Sequence, residues 1–332
     1  MTSRHIKYGL LLDHQFPRTD DLADHIDSLV ELTELAASHG LDGVFGIHHF
    51  LAGLQTPQPF QLLARLVPVS ARMDLGTSVY VSTLAHPVQI AEELATLDQI
   101  SRGRVVFGAG IGYRDEEFAS FGIPRSSRAP RFIEGLEVIR GLWGEEPFSY
   151  SGKYYAIDGQ RSSVRPYEGR RIPFWIGANA PDTILRAARI GDAWIASPNV
   201  KERWAIGNLD AFREERRRHQ LSDDGDRPIG RELFIADTDE EARRIVAPYL
   251  EEEYRHYSQY DLDHFVEMYD DLMVKSFFVG SPATVAAKIR AFADGGFNYF
   301  LFRTFWSGMP YDMAKRTVER LVTEVLPLVE AP

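Results

Sequence analysis

The sequence predicts an α/β protein of the (β/α)8 (TIM) barrel class, and three observations carry that reading. Four times a helical pattern ends at a glycine, crosses one or two small or polar residues and enters an apolar strand: at His39 to Phe45, Arg102 to Phe107, Ile190 to Ile195 and Gly295 to Leu301. Glycine at such a point can take the left-handed conformation that closes a helix before a parallel strand. The first four strands recur at intervals of roughly 30 to 37 residues, the size of one βαβ repeat. Finally, a chain of 332 residues accommodates eight such units with insertions, and residues 1–332 are read as one domain.

Taken in order, Ile6 to Leu12 is the first strand and ends at Asp13 and His14. A helix from Asp24 to Ser38 turns Ile26, Leu29, Val30 and Thr33 inward at helical spacing. Leu41 to Ile47 is the second strand, with His48, His49 and Phe50 at its carboxyl end, and Phe60 to Ser70 is the next helix. Met73 to Val81 has the β-branched content of a strand, and Val88 to Ile100 has the periodicity of a helix. Arg104 to Gly108 is short and wholly apolar after its first residue, as a strand covered on both faces should be. Further strands are expected at Ile172 to Gly177, Ala193 to Ser197, Glu232 to Asp237 and Asn298 to Thr304, with helices at Arg131 to Trp143 and Tyr311 to Val329. Two intervals are long. Insertions are placed near 145–170, with a hairpin at Pro147 to Ile157, and near 239–279, read as helical with a mobile section near Tyr257 to Asp263.

Composition narrows the function. The chain is 44% hydrophobic and 26% charged, as an ordinary globular protein is. It has no apolar run long enough to span a membrane and no secretory leader, so a cytoplasmic location and no membrane partner are expected. Zero cysteines exclude disulfides, thiolate metal sites and a cysteine nucleophile. A net charge of −11 argues against nucleic acid, and the basic run Arg213 to Arg218 is interleaved with glutamates like a solvated helix face.

In a barrel of this class the chemistry sits at the carboxyl ends of the strands. The pair His48–His49 is the sharpest feature there. Adjacent residues on an extended chain alternate faces, so one ring points into the mouth while the other packs sideways. No HExxH pattern or matching carboxylate cluster accompanies them, and no metal is expected. Gly108, Gly110 and Gly112, before Tyr113, fail the dinucleotide fingerprint but offer close backbone approach to a flat ligand. Asn179 is a candidate helix N-cap with Pro181 in the first turn, an arrangement suited to a phosphate. Asp13, Phe16, Phe50, Tyr113, Phe305 and Trp306 are candidate substrate-pocket residues.

The ordered set His48-His49-Phe50; Gly76 to Val79; Ala85-His86-Pro87; Ala91-Glu92-Glu93; Leu97 to Arg104; the glycines 108, 110 and 112 with Tyr113; Glu117-Phe118; Phe121-Gly122; Arg131-Phe132; Leu142-Trp143; and Trp175-Ile176-Gly177 resembles the bacterial luciferase-like flavin monooxygenases over nearly the whole chain. The resemblance implies reduced FMN lying across the strand ends, a homodimer, and a separate flavin reductase supplying the cofactor. It further implies oxygen insertion from O2 into a small organic substrate through a C4a-peroxyflavin, with His48, beside His49, as proton donor or hydrogen-bond partner. By position it assigns flavin contacts to Thr77 and Ser78, where the family has a bulge with a non-prolyl cis peptide. It also assigns them to Gly110, Gly112 and Tyr113, and phosphate contacts to Asn179, Ala180, Thr183 and Arg131. Luciferase itself has cysteine and arginine where this chain has Gly110 and Ile111, so light emission is not implied. The alternatives are an F420-dependent hydride-transfer enzyme on the same scaffold, whose cofactor's acidic tail suits a basic mouth, and a non-catalytic flavin-binding or partner subunit.

Overall fold

A computed structural model describes residues 6–258 and 269–330. The chain runs β1 (Lys7–Leu12), α1 (Leu22–Ser38), β2 (Gly43–Gly46), α2 (Pro59–Leu66), then β3 (Asp74–Thr77) and β4 (Tyr80–Val81) as two halves of one interrupted strand. Next come α3 (Pro87–Ser101), β5 (Val105–Gly110), α4 (Asp115–Ser120), α5 (Arg128–Leu142), an antiparallel hairpin of β6 (Phe148–Ser151) and β7 (Ala156–Gln160), and β8 (Phe174–Gly177). The remainder is α6 (Pro181–Ile190), β9 (Ala193–Ile195), α7 (Glu202–Arg218), β10 (Pro228–Ile235), α8 (Asp239–Ser258), α9 (Tyr269–Lys275), β11 (Phe278–Gly280), α10 (Pro282–Asp294), β12 (Tyr299–Arg303), α11 (Tyr311–Arg320) and α12 (Leu326–Glu330).

Parallel pairing orders the strands β10-β12-β1-β2-β3-β5-β8-β9, with β4 continuing β3 along β5. The ring closes where Ala196, one residue past β9, bridges Ile229 of β10. Eight strand positions therefore form a (β/α)8 barrel, and β11 is an extra strand on the far end of β10. Among the described residues no helix is long and apolar enough to cross a membrane.

The barrel interior is filled by Leu11, Phe45, Val106, Trp175, Ala193, Ile195, Tyr299 and Leu301. Phe45 stacks on Trp175 at 5.0 Å between centroids, and Tyr299 meets both rings edge-on at 5.8 and 5.2 Å. Rings of this size fit only because their neighbours are small. A Cβ on Gly43 would collide with the Tyr299 hydroxyl, and one on Gly76 with the Phe45 ring. At the base, the Tyr299 hydroxyl donates to Asp74 (3.2 Å), which pairs with Lys7 (3.5 Å). A second apolar layer lies between the strands and the outer helices.

One expectation needs correction. The seventh barrel strand begins at Pro228, not Glu232. Its middle carries Arg231 and Glu232, both fully buried, and two charges in a strand hide it from a hydrophobicity pattern. The last helix is helical throughout but changes pitch, Leu321–Val325 forming one π-helical turn between α11 and α12. The section expected to be mobile lies, from residue 259 on, outside the described residues.

The aromatic filling predicts a specific sensitivity. Gly43→Ala should cost about 1–3 kcal/mol in urea unfolding, as overpacking does. Gly53→Ala, in a loop with nothing within 4 Å of the added methyl, should stay within about 0.5 kcal/mol of wild type. Equal stability of the two variants would contradict the interlock.

Candidate active site

The second strand delivers both histidines to the mouth, and the structure separates their roles. His48 is 1% exposed. Its Nδ1 accepts the Val81 N–H at 3.1 Å, so the proton sits on Nε2, which donates to Gln58 Oε1 at 2.9 Å. The other end of the Gln58 amide donates to the His49 carbonyl at 3.3 Å, which fixes the amide's orientation. The ring lies flat on Tyr80 at 4.0 Å and meets Phe50 edge-on at 4.5 Å. Burial pushes the imidazole down to about 3, so it is neutral at physiological pH. Both ring nitrogens of His48 are therefore engaged within the fold.

His49 lies on the other side of the chain, with 13% of its side chain exposed. Its Nδ1 lies 3.2 Å from Glu117 Oε1, and that oxygen also accepts the Phe50 N–H at 2.8 Å. A carboxylate in this position takes the imidazole proton on Nδ1 and leaves Nε2 as an acceptor, 3.5 Å from the Tyr113 hydroxyl. Glu117 is fully buried at the start of α4, and Arg114 from the same turn donates to the carbonyls of Phe50 (3.1 Å) and Leu51 (3.4 Å). A third imidazole, His14, accepts the Ile47 N–H on Nε2 at 3.0 Å and is pushed down by burial to about 4. Sequence reasoning missed Gln58, Glu117 and Arg114 as builders of this site. Only the Glu117-Phe118 motif gave any signal.

The next wall is the interruption between β3 and β4, where the Ser78–Val79 peptide is cis. The glycines expected to admit a flat ligand mostly admit the protein itself. A Cβ on Gly108 would strike the Thr77 carbonyl, and one on Gly110 would lie 2.5 Å from Val79 Cγ2. A Cβ on Gly177 would lie 3.1 Å from Val79 Cγ1. Gly112 has φ +75° and lies against Val81 and Phe118. Gly110 and Gly112 are thus sockets for the bulge. Thr77 is buried with its hydroxyl donating to the Gly108 carbonyl at 2.7 Å. Ser78, Val79, Ile111, Tyr113 and Ala178 remain half-buried around the mouth, and the Val79 side chain caps the barrel's aromatic interior. Val79 and Ile111 thus leave a half-exposed apolar surface at the strand ends.

On the β8 side, Ala180 and not Asn179 caps α6; the Thr183 hydroxyl accepts the Ala180 N–H at 3.2 Å. Asn179 and Ala180 are exposed beyond it, which leaves this turn available to a phosphate. Arg131 stands against the hairpin insert, its guanidinium 5.3 and 5.2 Å from the ring centroids of Tyr154 and Tyr155. Three of the expected pocket aromatics are packing residues. Phe16 stacks on His25 (4.1 Å), Phe305 on Tyr311 (4.3 Å), and Trp306 donates its indole N–H to Glu232 at 2.8 Å, all three 3% exposed or less. Phe50 stays half-buried beside Phe121, and Asp13 is buried. Among the described residues no group of three or more His, Asp or Glu side chains could hold a metal ion.

Comparison with known proteins shows what the chain is similar to. The family model of luciferase-like monooxygenases matches residues 6–299. The oxygenase component of the flavin-dependent trigonelline monooxygenase of Acinetobacter baylyi is 22% identical, the match covering 91% of this chain and 89% of the relative. An F420-dependent glucose-6-phosphate dehydrogenase of Intrasporangium calvum is 30% identical over 90% of this chain and 93% of its own. Among solved structures, monooxygenase RslO1 from Streptomyces bottropensis superposes with a TM-score of 0.88 at 23% identity, covering 97% of this chain and 99% of its own. At that identity the likeness speaks for the fold.

Acid reports on the burial of His48. Above about pH 7 His48 is neutral folded and unfolded, and contributes nothing to the pH dependence. Below its unfolded value of 6.5 only the unfolded chain takes the proton, until the folded value near 3 is reached. Stability therefore falls with falling pH in that window, by up to about 1.4 kcal/mol per unit from this group. The stability difference between wild type and His48→Gln, measured by urea unfolding at several pH values, should shrink at about that slope below pH 6.5 and be flat above it. A difference independent of pH would show that His48 is not held neutral.

Proposed function

Since the chain belongs to the luciferase-like monooxygenase family, we propose that it is a flavin-dependent monooxygenase. In this reading it uses reduced FMN from a separate reductase, with O2, to place one oxygen atom in a small, mostly apolar substrate. A homodimer in the cytoplasm is the proposed setting. The observation that carries the reading is His49, held at the mouth between buried Glu117 and the Tyr113 hydroxyl, with Nδ1 against the carboxylate and Nε2 turned to the hydroxyl.

Reduced FMN, when bound, supplies the electrons that activate O2. The protein's share is binding, orientation, exclusion of water and proton handling. Ser78 and Val79 would hold the ring from behind, and the residues around Asn179, Ala180 and Thr183, with Arg131 as the basic partner, would hold the phosphate. His49 Nε2 gives or takes the proton at the reacting oxygen, and Glu117 holds the ring in the tautomer that allows it. His48 acts through His49 by fixing the turn that both share. The half-buried Phe50 and Tyr113 face the substrate.

F420-dependent hydride transfer is the second reading, favoured by the 30% identical relative of that name. An imidazole backed by a carboxylate would also serve as the base for a hydroxyl losing hydride. The net charge of −11 opposes the acidic tail of F420.

Fluorescence titration with FMN and with F420 separates the two, and the proposal expects tighter binding of FMN. With FMN, His49→Gln should lower kcat by about 100-fold or more while FMN affinity stays within about threefold of wild type. Glu117→Gln should lower kcat by about tenfold or more, because an amide no longer enforces the tautomer. Product formation unchanged in His49→Gln would remove its assigned role.

A further inference from the structure

Opposite the Ser78–Val79 interruption, the carboxyl ends of β10, β12 and β1 carry a charge arrangement that the mechanism above does not use. Glu232 of β10 lies in register with Arg303 of β12. Arg303 Nη1 donates to Glu253 of α8 at 3.2 Å, and its Nε lies 3.6 Å from Glu232 Oε2. Glu232 is otherwise satisfied, accepting from the Tyr254 hydroxyl at 3.1 Å and the Trp306 indole at 2.8 Å. Asp13, the residue after β1, enters the same cluster with Oδ2 3.7 Å from Arg303 Nη1, yet among the described residues its oxygens accept no well-formed hydrogen bond, the Gln15 N–H being the one backbone donor that faces it. It is 1% exposed. Two residues on, Gln15 Oε1 is also buried with no hydrogen-bond donor. Arg231, the neighbouring guanidinium, is spent on the carbonyls of Ser197, Pro198 and Val200.

Three buried carboxylates therefore converge on the Arg303 guanidinium, and the unfilled positions on Asp13 and Gln15 are all acceptors. Burial first, then the neighbouring Glu253 and Glu232, hold Asp13 above the usual carboxylate range against the opposing pull of Arg303. A buried carboxylate without a well-formed donor is costly and asks for one. His14, between Asp13 and Gln15, accepts the Ile47 N–H at 3.0 Å, one residue before the histidine pair, so this wall borders the mouth.

We propose that Asp13 receives a positively charged, hydrogen-bond-donating group of the substrate, an ammonium or a similar organic cation, with Gln15 Oε1 as a second acceptor. This rests on the reading of the mouth as the substrate site. It sets the substrate class as an apolar body with a cationic end, which a carboxylate-bearing analogue of the same length would not match.

The test is calorimetric binding of hexylammonium, hexanoate and 1-hexanol to the full-length protein, with FMN titrated in parallel. Hexylammonium should bind about tenfold or more tighter than either of the others. Asp13→Asn, nearly isosteric and buried, leaves the surface charge unaltered and should abolish that preference with FMN binding as in wild type. If Asp13→Asn does not fold, Glu253→Gln is read instead and should narrow the preference severalfold. Equal binding of the three probes, or a preference kept in a folded Asp13→Asn protein, overturns the proposal. A preference lost in Asp13→Asn supports it even if FMN does not bind, and that result faults the flavin reading alone.

Discussion

The contact on which the site depends is the hydrogen bond from the Val81 N–H to His48 Nδ1. It joins the end of the second barrel strand to the continuation of the third, across the Ser78–Val79 interruption. Because adjacent residues of an extended chain face opposite ways, committing His48 to this tie turns His49 to the other side, toward Glu117 and Tyr113. One backbone donor therefore gives one ring a structural task, and in the proposed function its neighbour takes the chemical one. Gln58 reinforces the division with a single amide that accepts from the His48 ring and donates to the His49 carbonyl.

Beneath this layer the barrel solves a packing problem with the same economy. Phe45, Trp175 and Tyr299 fill the interior, and Gly43 and Gly76 are small where those rings approach. One level higher, Gly108, Gly110 and Gly177 are small where the third strand bulges, so Val79 settles between its neighbours and becomes the floor of the mouth. The floor is rigid because the protein's own side chain fills the glycine sockets. That is the support a site needs if its ligand is to be held in one orientation.

Much of this was legible in the sequence, and what escaped did so for physical reasons. The barrel could be read because its signal is repetitive, with a glycine-closed helix before each of several buried strands. The seventh strand was misplaced because Arg231 and Glu232 are buried charges, satisfied by partners that are distant in sequence. Alternation foretold that one histidine would face inward, but the choice between them rests on Gln58 and Val81, whose approach only the folded chain reveals. The glycine run signalled close approach, and the folded chain brings Val79 and Val81 against those glycines. Phe16, Phe305 and Trp306 lie at the right ends of the right strands, yet their rings turn into contacts with His25, Tyr311 and Glu232.

The division of labour between His48 and His49 is the central claim, and the nitrogen chemical shifts of the two imidazoles test it most directly. Uniformly 15N-labelled protein, with each ring assigned by its single His→Gln variant, reports the tautomer of each. The account predicts opposite neutral tautomers, Nε2–H for His48 and Nδ1–H for His49, with His48 still unprotonated at about pH 5. The same tautomer in both rings, or an imidazolium at His48 by that pH, would contradict it.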